Sequence, residues 1–406
     1  MKSAPHFRYR AVSLVRNSCA LVRAVVFALA IITAISIASG PLSAQDQANS
    51  DNKRTGFVYT ETNATANSIL VFNRAVNGSL SLAATVPTGG QGGGVVSVGS
   101  QGSLALSPDG RWLFAANEGD NTISVLQRTH AGLTAVGKVS SNGTLPVSIT
   151  VSRNLVYVLN DGSQASNSPA NITGFYFDDS SGALSPIPNS IRSLSAPFPT
   201  IPVAGPDAAE IGFDNTGRFL YVAEVGTSLI DKYSINYDGT PSQDEVQTSF
   251  GNSPFAFAFD HRDNLLVTEV RESSGIVGQG AVTSYQLNYE GDIDVISGSV
   301  PDSQSAPCWL ALTGNGTYAY TVNTASSNIS GYQVGYNGEL SLLGNGITAQ
   351  TGPAPLDIAF TRDSRYLYNV SGGGALVGFQ VQSDGSLTPL TQVTTVPTSS
   401  RGLVAQ

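Results

Sequence analysis

Methionine occurs once in 406 residues, cysteine and tryptophan twice each, histidine three times, and only 12% of the residues are charged. Each scarcity excludes something. Cys19 lies in a leading segment expected to be removed, so Cys308 stands alone and no intramolecular disulfide can form. A lone cysteine of this kind reads as a small buried hydrophobe. The histidines are His6, His130 and His261. None has a second histidine at metal-ligand spacing, and none accompanies a GxSxG nucleophile motif. No metal site and no cofactor site is expected. Lysine and glutamate, the usual makings of exposed helices, are sparse. What fills their place is glycine, 43 residues of it, and short runs in which Val, Thr, Tyr, Phe and Ile alternate with polar residues. That is an all-β composition with many turns.

The first 44 residues differ from the rest. Lys2, Arg8, Arg10, Arg16 and Arg23 form a basic stretch without an acid, and the apolar run from Ala24 to Ala38 follows. The run is short for a membrane span, and PLSA ends at Ala44 with residues small enough for signal peptidase. No cysteine follows the run, which excludes a lipoprotein anchor. Residues 1–44 are therefore expected to be a cleaved export signal. Residues 45–54 form a polar lead-in and residues 55–406 a single domain, secreted or periplasmic. Five of the 20 basic residues and none of the 29 acidic ones lie in the signal. The remaining chain carries 15 basic against 29 acidic residues, a net charge of −14. So acidic a protein has no electrostatic footprint for nucleic acid or for an anionic membrane.

From residue 55 the chain repeats. The clearest copy begins at Ser103 (SLALSPDGRWLFAANEGDNTISVLQRTHAGLTAVGKVS) and reads as four strands. Asp109-Gly110 marks a hairpin, because glycine takes a positive φ without steric cost. The same grammar returns at Ser148, Glu210, Ala256, Trp309 and Asp357. A seventh copy is split. GFVYTET, from Gly56, matches a second strand with no first strand before it, and GLVAQ, from Gly402, matches a first strand with nothing after it. The expected fold is a seven-bladed β-propeller of four-stranded antiparallel blades, closed by the C-terminal strand pairing near Phe57. Two β-sandwiches would also be all-β, but they account neither for a period of about 50 residues nor for the split copy.

The strand–PDGR–strand cadence, followed by a third strand and Gly-x-Leu, resembles the seven-bladed β-propeller lactonase family. That family is best known for 6-phosphogluconolactonase, and fungal carboxymuconate cyclases are similar to it. SQGSLALSPDGRWLFAANEGDNTISVLQ and SPFAFAFDHRDNLLVTE look like an exported subgroup. The resemblance implies a histidine before one inner strand, an Arg-His pair before another and an arginine before a third. The matching stretches here read Leu145-Pro146-Val147-Ser148, Gly205-Pro206-Asp207-Ala208-Ala209 and, in the arginine's place, Cys308. The glutamate at the end of the following second strand is retained as Glu224.

A propeller offers a ligand the mouth of its channel, where inner strands begin and second strands end. Those columns contain Gln101, Glu210, Trp309, Asp357 and Arg401, and Asn117, Asn160, Glu224, Glu269 and Asn323, with Arg271 just beyond. Glu224 and Glu210 are the candidate bases for activating water against a lactone carbonyl. Arg271 is the candidate cation for a carboxylate or oxyanion. Trp309, Asp357, Glu269, Arg401, Gln101, Asn117, Asn160 and Asn323 are candidate substrate contacts, Trp309 as a face for a sugar or aromatic ring. The glycine-rich stretch Gly89–Gly102 lacks the Gly-Lys-Ser/Thr ending of a phosphate loop, so it reads as a loop joining the first two blades and placed to lid the channel. Two functions follow. One is a monomeric lactone hydrolase or lactonising isomerase taking a small lactone or sugar-like ligand. The other is a non-catalytic binding propeller for a glycan, peptide or envelope partner.

Overall fold

A computed structural model describes residues 54–94, 99–129, 132–162, 167–195, 207–270 and 278–406. The expected export signal (residues 1–44) and nearly all of the lead-in lie outside the described residues. Blade 1 contains β1 (Arg54–Glu61), β2 (Ser68–Ala75) and β3 (Leu80–Pro87). Blade 2 follows as β4 (Leu104–Leu106), β5 (Trp112–Asn117), β6 (Thr122–Thr129) and β7 (Gly132–Ser140). Blade 3 has β8 (Pro146–Ser152), β9 (Leu155–Asn160), β10 (Asn171–Asp178) and β11 (Ala183–Pro186), with the short β12 (Arg192–Ser193) also on β10. Blade 4 is β13 (Ala208–Phe213), β14 (Phe219–Glu224), β15 (Leu229–Ser234) and β16 (Glu245–Thr248). Blade 5 is β17 (Pro254–Phe259), β18 (Asn264–Glu269), β19 (Ala281–Leu287) and β20 (Ile293–Pro301). Blade 6 is β21 (Pro307–Leu312), β22 (Tyr318–Asn323), β23 (Asn328–Val334) and β24 (Leu340–Leu342), with β25 (Ala349–Gln350) also on β23. Blade 7 is β26 (Pro355–Phe360), β27 (Tyr366–Ser371), β28 (Ala375–Val381) and β29 (Leu387–Thr395), and β30 (Arg401–Ala405) returns to blade 1. All pairings are antiparallel, and the inner strands β30, β4, β8, β13, β17, β21 and β26 neighbour one another around a closed ring.

Local chemistry sets the hairpins. In the first-to-second-strand turn of blade 2, Gly110 has φ +68°, and Asp109 Oδ1 accepts the Arg111 amide at 2.9 Å. Second strands are buried on both faces, as in WLFAAN of β5 and FLYVAE of β14, because each blade is sandwiched between two others. Aromatic rings fill the gaps between blades. Tyr157 meets Phe213 of the next blade at 5.7 Å, and Tyr320 meets Phe360 at 5.7 Å, both edge-on. The tyrosine hydroxyls then reach the turn between third and fourth strands of the following blade. Tyr157 donates to Gly239 O, Tyr221 to Gly291 O at 2.6 Å, Tyr320 to Gly385 O at 2.7 Å and Tyr368 to Gly78 O at 2.6 Å. One residue type in one column of the repeat thus provides both an apolar body and a buried hydrogen bond.

The split copy closes as its two halves imply. Val58 pairs with Ala405, Tyr59 with Val404, Thr60 with Leu403 and, after a bulge, Glu61 with Arg401. Gln406 N donates to Phe57 O at 2.8 Å and Arg74 Nε to Gln406 O at 3.0 Å.

Candidate functional site

The first residues of the inner strands bridge blades. The innermost edge of each sheet leaves backbone N–H groups that need acceptors. Ser148 Oγ accepts Ile211 N of the next blade at 3.2 Å, Glu210 Oε2 accepts Phe257 N at 2.6 Å, and Asp357 Oδ2 accepts Leu403 N at 2.9 Å. Blade 5 has Ala256 in this column, which offers no side-chain acceptor. Gln101 supplies one from across the ring. Its Oε1 accepts Leu310 N at 2.8 Å, while its Nε2 donates to Leu310 O at 3.0 Å and to Glu210 Oε1 at 3.2 Å. The neighbouring residue is pinned as well, because Trp309 Nε1 donates to Ser100 O at 2.7 Å. Trp309 is itself buried, with its ring 5.2 Å from Phe255. The end of the glycine-rich stretch therefore crosses the middle of the ring; residues 95–98 of that stretch lie outside the described residues. Burial pushes Glu210 well above the usual carboxylate range, reinforced by the charge of Asp357, and pushes Asp357 up to about 7.

The second-strand column binds its own blade and the connection arriving from the previous one. Asn117 Nδ2 donates to Ser124 Oγ at 2.8 Å, and its Oδ1 accepts Thr88 Oγ1 at 2.9 Å and Asn67 Nδ2 at 3.1 Å. Asn160 donates to Asn171 Oδ1 at 3.1 Å and Ser141 O at 3.3 Å. Asn323 donates to Asn328 Oδ1 and Ser330 Oγ, both at 2.8 Å. Glu269 accepts Ser299 Oγ at 2.6 Å and the Thr283 hydroxyl. Gly90, Gly143 and Gly251 lie so close over Asn117, Asn160 and Glu269 that no Cβ fits between. These four polar side chains serve as fasteners between strands and incoming loops. Cys308 is buried in an apolar cluster with Trp309 and Leu310, as its isolation in the sequence implies.

Two members of the column have acidic company. Glu61, in blade 1, accepts Asn67 Nδ2 at 2.9 Å and lies near Ser103, Glu118 and Arg401. Burial first, and then the charge of Glu118, raise it to about 8 against the opposing pull of its hydrogen bonds and of Arg401. Arg401 also receives Thr60 Oγ1 on its carbonyl at 3.0 Å. Glu224, in blade 4, is fully buried, and its Oε2 accepts Ser195 Oγ at 2.9 Å and Thr227 Oγ1 at 2.5 Å. Ser195 N also donates to Asp231 Oδ2 at 3.2 Å, so one serine joins both carboxylates. Asp231 is held well above its usual range by burial and then by the Glu224 charge. Glu224 Oε1 and Asp231 Oδ1 are buried and have no hydrogen-bond partner among the described residues. Asp244, half-buried beside them, is raised to about 7 by burial and by Glu224.

The sequence columns contained Glu224 and Glu210, which lie on paired strands but have different partners: Glu210 is tied to blade 5 and Gln101, Glu224 to Ser195 and Thr227. Arg271 lies outside the described residues. Glu61, Asp231, Asp244 and Ser195 were not in the sequence-derived set. Glu61 could have been found by continuing the second-strand column into the split copy, and Asp231 as the one acid in the third strand LIDKYS. Among the described residues, no three His, Cys, Asp or Glu side chains are grouped to hold a metal ion.

The chain matches the family model described as lactonase, 7-bladed β-propeller, over residues 47–201, 193–279 and 277–403. Among curated proteins none matches it. Solved structures do. A putative 6-phosphogluconolactonase from Bacteroides fragilis is 17% identical with a TM-score of 0.65, covering 90% of this chain and 100% of its own. Another from Bacteroides uniformis is 19% identical with a TM-score of 0.66, covering 85% and 99%. The periplasmic gluconolactonase of Pseudomonas aeruginosa is 17% identical with a TM-score of 0.68, covering 86% and 98%. At such identities the structural likeness establishes the fold, and the family match spans nearly all of it. The chain belongs to the seven-bladed β-propeller lactonase family.

Proposed function

We propose that the protein is an exported hydrolase of an unphosphorylated sugar or organic-acid lactone, with Glu224 as the general base. The observation that carries this reading is Ser195, which donates its hydroxyl to Glu224 and its amide to Asp231 and so ties two buried carboxyl groups together, Asp231 being held protonated by burial. A carboxylate paired with a protonated neighbour can take a proton from water and return one to a departing oxygen. In the reaction, water adds to the lactone carbonyl, the ring C–O bond breaks, and the ring oxygen leaves as a hydroxyl, giving the hydroxy acid. A neutral substrate is favoured over a phosphorylated one, since the family's His and Arg positions hold Leu145–Ser148, Asp207–Ala209 and the buried Cys308. The gluconolactonase named among the structural relatives acts, by its name, on a lactone of this kind.

A second reading, a binding propeller for a glycan, peptide or envelope partner, is favoured by the engagement of Glu210 and Asp357 with backbone amides. A pH-stat assay against δ-gluconolactone, dihydrocoumarin and γ-butyrolactone separates the two. Turnover that falls more than about tenfold in Glu224→Gln is expected. Equal rates in wild type and Glu224→Gln would sink the site, and no turnover of any lactone would favour binding.

A further inference from the structure

The turn between third and fourth strands repeats in blades 4, 5 and 6 as Asn236-Tyr237-Asp238-Gly239, Asn288-Tyr289-Glu290-Gly291 and Gly335-Tyr336-Asn337-Gly338. Large aromatic side chains are rarely left in water, yet relative exposures are 110% for Tyr237, 81% for Tyr289 and 82% for Tyr336. The same position holds Val76 in blade 1, Asp179 in blade 3 and Ser383 in blade 7. No fold requirement therefore asks for tyrosine there. Fold chemistry is met two residues further on, where Gly239 and Gly291 carbonyls receive the buried tyrosine hydroxyls.

Two of the rings are held in place. Arg218, from the turn before β14, lies over Tyr289 at 4.7 Å, and Arg262, from the turn before β18, lies over Tyr336 at 4.1 Å. Each guanidinium covers one ring and leaves it largely exposed, so a ligand would meet an aromatic surface that is already oriented. Beside the rings stand exposed acceptors, Asp238, Glu290 and Asn337. Rings at the same turn position of three successive blades, each followed by a hydrogen-bond acceptor, suit a polymer of hydroxyl-bearing rings. The two carboxylates are offset by the guanidinium groups of Arg218 and Arg262, so these turns carry no excess charge to draw an ionic chain, and aliphatic residues that would make a protein-binding patch are missing from them. This surface is far from the carboxylate pair, since Arg218 precedes β14 and Glu224 ends it.

We propose that Tyr237, Tyr289 and Tyr336 form a binding strip for a neutral polysaccharide, on the end of the propeller opposite Glu224. The strip is independent of lactone hydrolysis and would anchor the protein on a glycan matrix. Native electrophoresis in gels containing hydroxyethyl cellulose tests it. The wild-type protein should be retarded, each Tyr→Ala change should weaken retention about fivefold, and Tyr336→Phe should retain it. Val76→Ala, at the same turn of blade 1, should leave retention unchanged, and melting temperatures should match throughout. The proposal is overturned if wild type is not retarded, or if the triple alanine variant is retarded equally. It is also overturned if only polygalacturonate or phosphatidylcholine vesicles bind the protein.

Discussion

The closing strand of the ring hangs on a buried acid, and that makes stability depend on pH in a definite direction. Asp357 is 4% exposed, accepts the amides of Ile358 and Leu403, and is raised from 3.8 to about 7 by burial. The folded ring therefore binds a proton that the unfolded chain releases between about pH 4 and pH 7, so stability falls as pH rises through that window. At 1.36 kcal/mol for each pH unit, the loss assigned to this residue is about 4 kcal/mol. Glu61, raised to about 8, adds to the fall in the same sense on the other side of the same strand. Asp109 and Asp178, lowered to about 2, act oppositely, but their contribution is lost only below about pH 4. Urea unfolding midpoints of wild type and Asp357→Asn should be compared from pH 4.5 to 8. The wild type should lose stability steeply, and the variant should be flatter by about 3 kcal/mol across that range. Parallel curves for the two proteins, or a wild type that gains stability with pH, would refute the assignment.

Removing residues 402–406 deletes most of β30 and the bonds of Gln406 to Phe57 and Arg74, which leaves β1 as an open edge. The melting temperature should fall by about 10 °C or more, as read by calorimetry. Gly251→Ala places a methyl group against the Glu269 carboxylate. It should destabilise by about 2 kcal/mol or more in chemical unfolding, whereas alanine at Gly352, which has open space around it, should cost far less.

The architecture was legible because it is written seven times. Turn glycines, alternating strands and the two half-copies at Gly56 and Gly402 each had one physical reading, and the pairing of Thr60 with Leu403 is that reading realised. The site was less legible, because a column of equivalent positions does not say which neighbour each side chain meets. Asn117, Asn160 and Asn323 have the same strand-end positions as Glu224, yet their amides are consumed by adjacent strands and loops. Gln101 was expected to face a substrate at the channel mouth, and the structure has it tying blades together. Its partners, Glu210 and Leu310, are 109 and 209 residues away, and no local pattern encodes such distances. Ser195, just after β12 of blade 3, meets Asp231 of blade 4 across 36 residues of sequence.

The pairing of β1 with β30 also governs the order of events in folding. Val58 finds its partner 347 residues later, at Ala405, while every other blade pairs strands that are close neighbours in the chain. Bringing ends so distant together costs about 3 kcal/mol more than closing a ten-residue hairpin, and the contact cannot form while the intervening chain is still being made. The first blade therefore waits through the synthesis of the other six with one edge unsatisfied. That edge is open to the wrong strand, from this chain or another, until β30 arrives. A propeller closed in this way is vulnerable early in its life, and its last strand is the latch that ends the risk.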